Sequence, residues 1–82
     1  MFHVILIYDI ECDRIRTKVA TACLDYGLDR IQYSAFAGQL SRNHQEELML
    51  RIRSLLTEGI AKVQLVRINT KDWDNRLEIS YA

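Results

Sequence analysis

Phe2-His-Val-Ile-Leu-Ile-Tyr-Asp9 is an almost unbroken apolar, β-branched and aromatic run that ends on a single carboxylate. A strand with one wet face alternates apolar and polar residues; this one does not, so it reads as a central strand buried on both faces. Any fold built around it must cover both sides.

The segments outward from this run supply the covers. Residues 14–26 place Ile15, Val19, Ala22, Cys23 and Tyr26 at helical spacing, with Asp13 as the expected cap and Gly27 as the left-handed stop. Residues 30–40 alternate, Ile31, Tyr33, Ala35 and Ala37 against Gln32, Ser34, Phe36 and Gly38, as one strand bent near Ser34 or as two short ones. Asn43 followed by Glu46 has capping-box spacing, and Leu48, Ile52, Leu55 and Leu56 form the stripe of a second helix that ends by Gly59. Lys62 to Ile68 is a β-branched strand, Asn69 to Arg76 reads as a polar loop, and Leu77, Ile79 and Tyr81 alternate as a final strand.

With right-handed crossovers, this order predicts an α+β fold: a ferredoxin-like, split βαβ sheet with two helices on one face, plus a C-terminal strand. Both helices then cover the same face. The opposite face of the first strand would expose a large apolar patch, so the expectation is a symmetric homodimer packed sheet against sheet. The 77–81 strand is a candidate to pair with the partner's sheet edge.

The chain has 82 residues, 49% of them hydrophobic and 27% charged, with no proline, which predicts one globular domain over residues 1–82 with little surplus stability. No apolar stretch is long enough to span a bilayer and Met1-Phe2-His3 lacks a basic leader pattern, so a cytoplasmic protein without membrane association is expected. Cys12 and Cys23 lack further Cys or His at ligand spacing and read as reduced thiols, Cys23 in the core. Eleven Lys and Arg balance eleven Asp and Glu, so any nucleic-acid contact must come from local clusters. Arg14, Arg16 and Lys18 form one such cluster, and Arg51 with Arg53 a second.

Asp9 stands where a rigid strand hands over to a loop. One carboxylate is a poor Mg²⁺ site, but a two-fold axis near the strand ends would bring two copies of Asp9 together, and a divalent cation between them relieves their repulsion. The plain alternative is that Asp9 caps a turn or pairs with Arg14. Arg30 and Ser34 offer a charge and a hydroxyl to a phosphate, unless Arg30 pairs with Asp25 or Asp29. Neither His3, about 20 Å along the strand from Asp9, nor His44 is placed to act as a general base with it. Trp73 is either an interface anchor or a ring folded back on its own sheet.

Tyr8-Asp9-Ile10 after the hydrophobic strand, taken with Arg30-Ile-Gln-Tyr-Ser-Ala-Phe-Ala-Gly38 before the second helix, resembles the CRISPR-associated protein 2 family. The resemblance runs along nearly the whole chain. It implies Asp9 as catalytic residue and metal ligand, with Mg²⁺, of an endonuclease acting on single-stranded RNA or duplex DNA. It also implies nucleic-acid contacts from Arg14, Arg16, Arg30 and Ser34. Interfaces would involve Phe36 and, towards a CRISPR integrase subunit, Trp73, Leu77, Ile79 and Tyr81. Ala35 and Ala37 depart from the commoner family form, which has valine and glutamate at those places, and the loss of that glutamate removes a second carboxylate. Three readings follow: an adaptor that bridges integrase subunits and supports DNA during spacer acquisition, a metal-dependent nuclease, and a regulatory or oligomerising domain without nucleic acid. The first is favoured.

Overall fold

A computed structural model of the chain, describing residues 1–81, sets the apolar run at an inner position of a four-stranded antiparallel sheet. The run is β1 (Phe2–Ile10), flanked by β3 (Ala35–Leu40) and β4 (Ala61–Ile68), with β2 (Asp29–Gln32) outside β3. Helices α1 (Asp13–Asp25) and α2 (Arg42–Leu55) are the two crossovers. The strand order β2-β3-β1-β4 is the ferredoxin-like one anticipated from the chain order.

Alternate residues of β1 feed the core: Val4, Leu6, Tyr8 and Ile10 are all buried. Ile15, Val19, Ala22 and Cys23 of α1, Leu48 and Ile52 of α2, and Phe36 and Leu40 of β3 complete the layer. Each of the Val, Leu, Ile and Phe side chains among them contributes roughly 1.5–3 kcal/mol by leaving water. Burial pushes the Cys23 thiol up to about 11, so at neutral pH it packs as a small hydrophobe.

Gly38 sits opposite Val4 in the β1–β3 register, on the helix-covered side. A Cβ there would lie 2.9 Å from Leu28 Cδ2 and 3.4 Å from Leu28 Cα, and Leu28 is itself fully packed. Gly38→Ala is therefore expected to destabilise the fold by about 1–3 kcal/mol. A lowered urea midpoint at unchanged slope checks it.

The other face of the sheet is open in the protomer, as expected with both helices on one side. Ile7 is 39% exposed and Val66 on β4 46%, with Ile5 half-buried between them. One corner is covered. The segment read as a polar loop folds into a short helix, α3 (Thr70–Asp74), because the Asn69 side chain accepts a hydrogen bond from the Lys71 amide at 2.8 Å and caps it. Trp73 thereby folds back onto its own sheet, stacking on His3 at 4.7 Å between ring centroids, while the Arg76 guanidinium lies 4.0 Å from its ring centroid.

Other local expectations are corrected. Cys12, not Asp13, precedes α1 and gives no side-chain cap, and Ser41, not Asn43, caps α2 by accepting from His44 N at 3.1 Å. Gly27 does take the left-handed turn after α1, at φ +82°. Residues 77–81 form no strand within the protomer: Leu77, Ile79 and Tyr81 are 99%, 96% and 98% exposed. The segment makes no ladder with this sheet, and its alternating apolar side chains stand in solvent.

Candidate nucleic-acid interface at the end of the first strand

Asp9 projects from the uncovered face near the end of β1, directly across the sheet from Lys62 of β4. The two residues share a shallow hollow of about 140 Å³ with Ile7, Tyr8 and Gln64. The peptides on either side of Asp9 are held. Tyr8 N donates to Ser34 O at 3.1 Å, Arg16 Nη1 donates to Ile10 O at 2.8 Å, and Glu11 N donates to Ile60 O at 2.9 Å. The carboxylate is thus mounted on backbone tied to β4, to the β2–β3 turn and to α1.

Asp9 does not pair with Arg14. Arg14 Nη2 donates to Glu58 Oε1 at 3.1 Å, and the Cys12 thiol donates to the same oxygen at 3.4 Å. Those two hydrogen bonds and the Arg14 charge hold the Glu58 carboxyl below its usual range. Arg14 remains exposed but engaged.

Arg16 also has a structural task, bonding Asp13 as well as Ile10 O. Burial acts to lower its pKa, but the neighbouring Asp13 and Tyr33 outweigh that and raise it. Arg30 is different. Asp25 is taken by Arg51 at 2.8 Å, and among the described residues Arg30 makes no ion pair. Its guanidinium lies 5.8 Å from the Tyr33 ring centroid and 5.1 Å from that of Phe36.

Ser34 lies in the two-residue turn between β2 and β3 rather than on a strand. Its carbonyl, through Tyr8 N, binds that turn to the Asp9 end of β1. Phe36 is corrected: it is wholly buried in the protomer's own core, stacked on Tyr8 at 6.2 Å, so it offers no side-chain surface to a partner. Trp73, over His3, is at the opposite end of β1, about 20 Å from Asp9 by strand rise. The predicted residues therefore divide into an Asp9, Arg16, Arg30 and Ser34 end and a Trp73 end, while Leu77 and Ile79 of the tail line a hollow with Trp73, Ile31 and Gln32.

Lys62, Gln64 and Tyr33 belong to the first of these ends and were not singled out from sequence. Lys62 opens a strand like any solvated residue, and only the β1–β4 register sets it against Asp9. Among the described residues no group of three or more His, Cys, Asp or Glu could hold a metal. One carboxylate opposite an ammonium is by itself a poor fit to Mg²⁺ within a protomer.

Sheet order, helix placement and core define a small α+β domain of the ferredoxin-like class, with one sheet face open and a basic, aromatic turn beside a lone carboxylate. Comparison with known proteins narrows the class. The model of the family described as CRISPR associated protein Cas2 matches residues 1–76. The "CRISPR-associated endoribonuclease Cas2 2" of Chloroflexus aurantiacus is 54% identical over 72 residues, covering 88% of this chain and 85% of that one. A "CRISPR-associated endonuclease Cas1/endonuclease Cas2 fusion" of Thermoproteus tenax is 34% identical over 77 residues, 94% of this chain and 29% of the fusion. The crystal structure of Streptococcus pyogenes Cas2 superposes with a TM-score of 0.81 at 23% identity, covering 96% of this chain and 99% of that one, a likeness of fold. The chain belongs to the CRISPR associated protein Cas2 family.

Proposed function

We propose that the protein serves CRISPR adaptation as a homodimer that bridges integrase subunits and supports the DNA during spacer acquisition. The observation that carries this reading is the unpartnered apolar surface: the open sheet face with Ile7 and Val66, and the solvent-standing Leu77, Ile79 and Tyr81. A monomer that small gains nothing from three fully exposed apolar side chains in alternation, whereas a strand added to a partner's edge uses both its backbone and its side chains. The existence of a relative fused to a Cas1 endonuclease supports an integrase as one partner.

A nuclease capacity is the second reading, favoured by the exposed Asp9 and by the endoribonuclease name of the Chloroflexus aurantiacus relative. Two copies of Asp9 related by the dimer axis would hold Mg²⁺, which supplies charge stabilisation and an activated water for phosphodiester hydrolysis of single-stranded RNA or duplex DNA. Lys62, Arg30 and the turn would position the phosphates.

Sedimentation of the wild type and of Leu77→Asp/Ile79→Asp, each alone and with the integrase subunit, tests the adaptor. The wild type is expected to sediment as a dimer at micromolar concentration and to co-sediment with the integrase, and the variant to lose one or both associations. A monomeric wild type that ignores the integrase would overturn the proposal.

A further inference from the structure

Between α1 and the β2–β3 turn runs a groove of about 380 Å³ lined by Thr17, Ala20, Thr21, Leu24, Arg30 and Tyr33, with Asp13 and Arg16 closing one end. Its most unusual wall is Tyr33, a turn aromatic that is 70% exposed. The ring is not loose. Arg16, itself anchored to Ile10 O and Asp13, and Arg30 each place a guanidinium carbon 5.8 Å from the ring centroid, within cation–π range. The turn that carries Tyr33 is also pinned to β1 through the Tyr8–Ser34 bond. Ala20 and the exposed Leu24 give it an apolar lining, and the Thr17 and Thr21 hydroxyls donate to their own helix.

We propose that this groove is a stacking site for an unpaired nucleotide of single-stranded nucleic acid, the base lying on Tyr33 and its phosphate on Arg30. The proposal rests on the nucleic-acid reading above and specifies the strandedness it favours. A ring face recognises a base face, and every base has one. In a duplex those faces are covered by neighbouring base pairs, so a duplex offers this groove only its phosphates; a single strand offers both. Arg30 suits the phosphate because it carries no acidic partner among the described residues, whereas Arg16 is engaged by Asp13 and Ile10 O. The groove lies beside the turn whose Ser34 carbonyl accepts from the Tyr8 amide, next to Asp9 in the chain.

The test measures fluorescence anisotropy with end-labelled single-stranded RNA and DNA of one sequence, and with a blunt DNA duplex, across a salt series. Tyr33→Ala is expected to weaken single-strand binding about 5- to 100-fold and duplex binding less than about twofold, while Tyr33→Phe keeps the affinity of the wild type. Arg30→Ala should weaken both and reduce the salt slope by about 0.7–0.9. An oligonucleotide of abasic sites should bind the wild type as poorly as the normal strand binds Tyr33→Ala, with no further loss when the two changes are combined. Equal losses for single strand and duplex, or an unchanged single-strand affinity in Tyr33→Ala, would overturn the stacking site while leaving nucleic-acid binding intact. A wild type that binds no nucleic acid at low salt removes the underlying reading instead. RNA and DNA arms that differ assign the preferred sugar.

Discussion

Asp9→Ala is expected to lower Mg²⁺-dependent cleavage of single-stranded RNA or duplex DNA at least about 100-fold, since a metal's charge stabilisation is worth several kcal/mol and each 1.36 kcal/mol is a factor of ten. The side chain is exposed and sits on backbone held by its neighbours, so its removal should change stability by no more than about 0.5 kcal/mol. Dimer formation should survive as well, because Asp9 is one polar group at the margin of an apolar face. Cleavage followed by gel, on material verified as dimeric and with Mn²⁺ tried beside Mg²⁺, reads the effect. Activity that persists in a dimeric Asp9→Ala protein would remove the nuclease reading and leave the adaptor standing.

Phe36→Ala is expected to cost about 3–5 kcal/mol. A chain of this length holds roughly 4–12 kcal/mol in all, so much or all of its margin goes. The ring is fully buried beneath the helices, stacks on Tyr8, and has the Arg30 guanidinium 5.1 Å from its centroid. Phe36→Leu refills most of the volume and should recover the larger part of the loss. Urea unfolding at several protein concentrations separates this from an interface role. Core loss lowers stability at every concentration, whereas an interface residue would leave the protomer stable and weaken only its association.

The contrast between these two positions shows what local sequence carries. The near-continuous apolar run over residues 2–9 marks a central strand, and Leu48 and Ile52 mark a helix face by their spacing. Phe36 was assigned the right parity with Gly38 and the wrong destination. Alternation tells which residues share a face, but which face meets the helices depends on pairing Phe36 with Leu6 and Arg30, a relation made across the sheet. Lys62 opposite Asp9 is invisible for the same reason. The helix at Thr70–Asp74 had a signal, Asn69 before Thr-Lys-Asp-Trp, but a single turn has no room for a repeating stripe. Trp73 has two destinations open to it in the sequence, and His3, seventy residues earlier, provides the surface that decides between them. Residues 77–81 show the same limit from the other side: their alternation is that of a strand, yet they form none within the protomer.

The backbone clamp around Asp9 has a consequence for how activity could vary without mutation. With the neighbouring peptides tied to β4, to the turn and to α1, the carboxylate can adjust only by rotating its own two side-chain bonds. In the proposed dimer, the gap between two such carboxylates would be set by the seating of one sheet on the other, packed sheets lying about 10 Å apart. A slide of an ångström or two along that seam would open or close a cation site while every residue stayed in its rotamer. One sequence would then cut or merely hold according to how its two halves are clasped, and whatever grips the dimer from outside would be setting that choice.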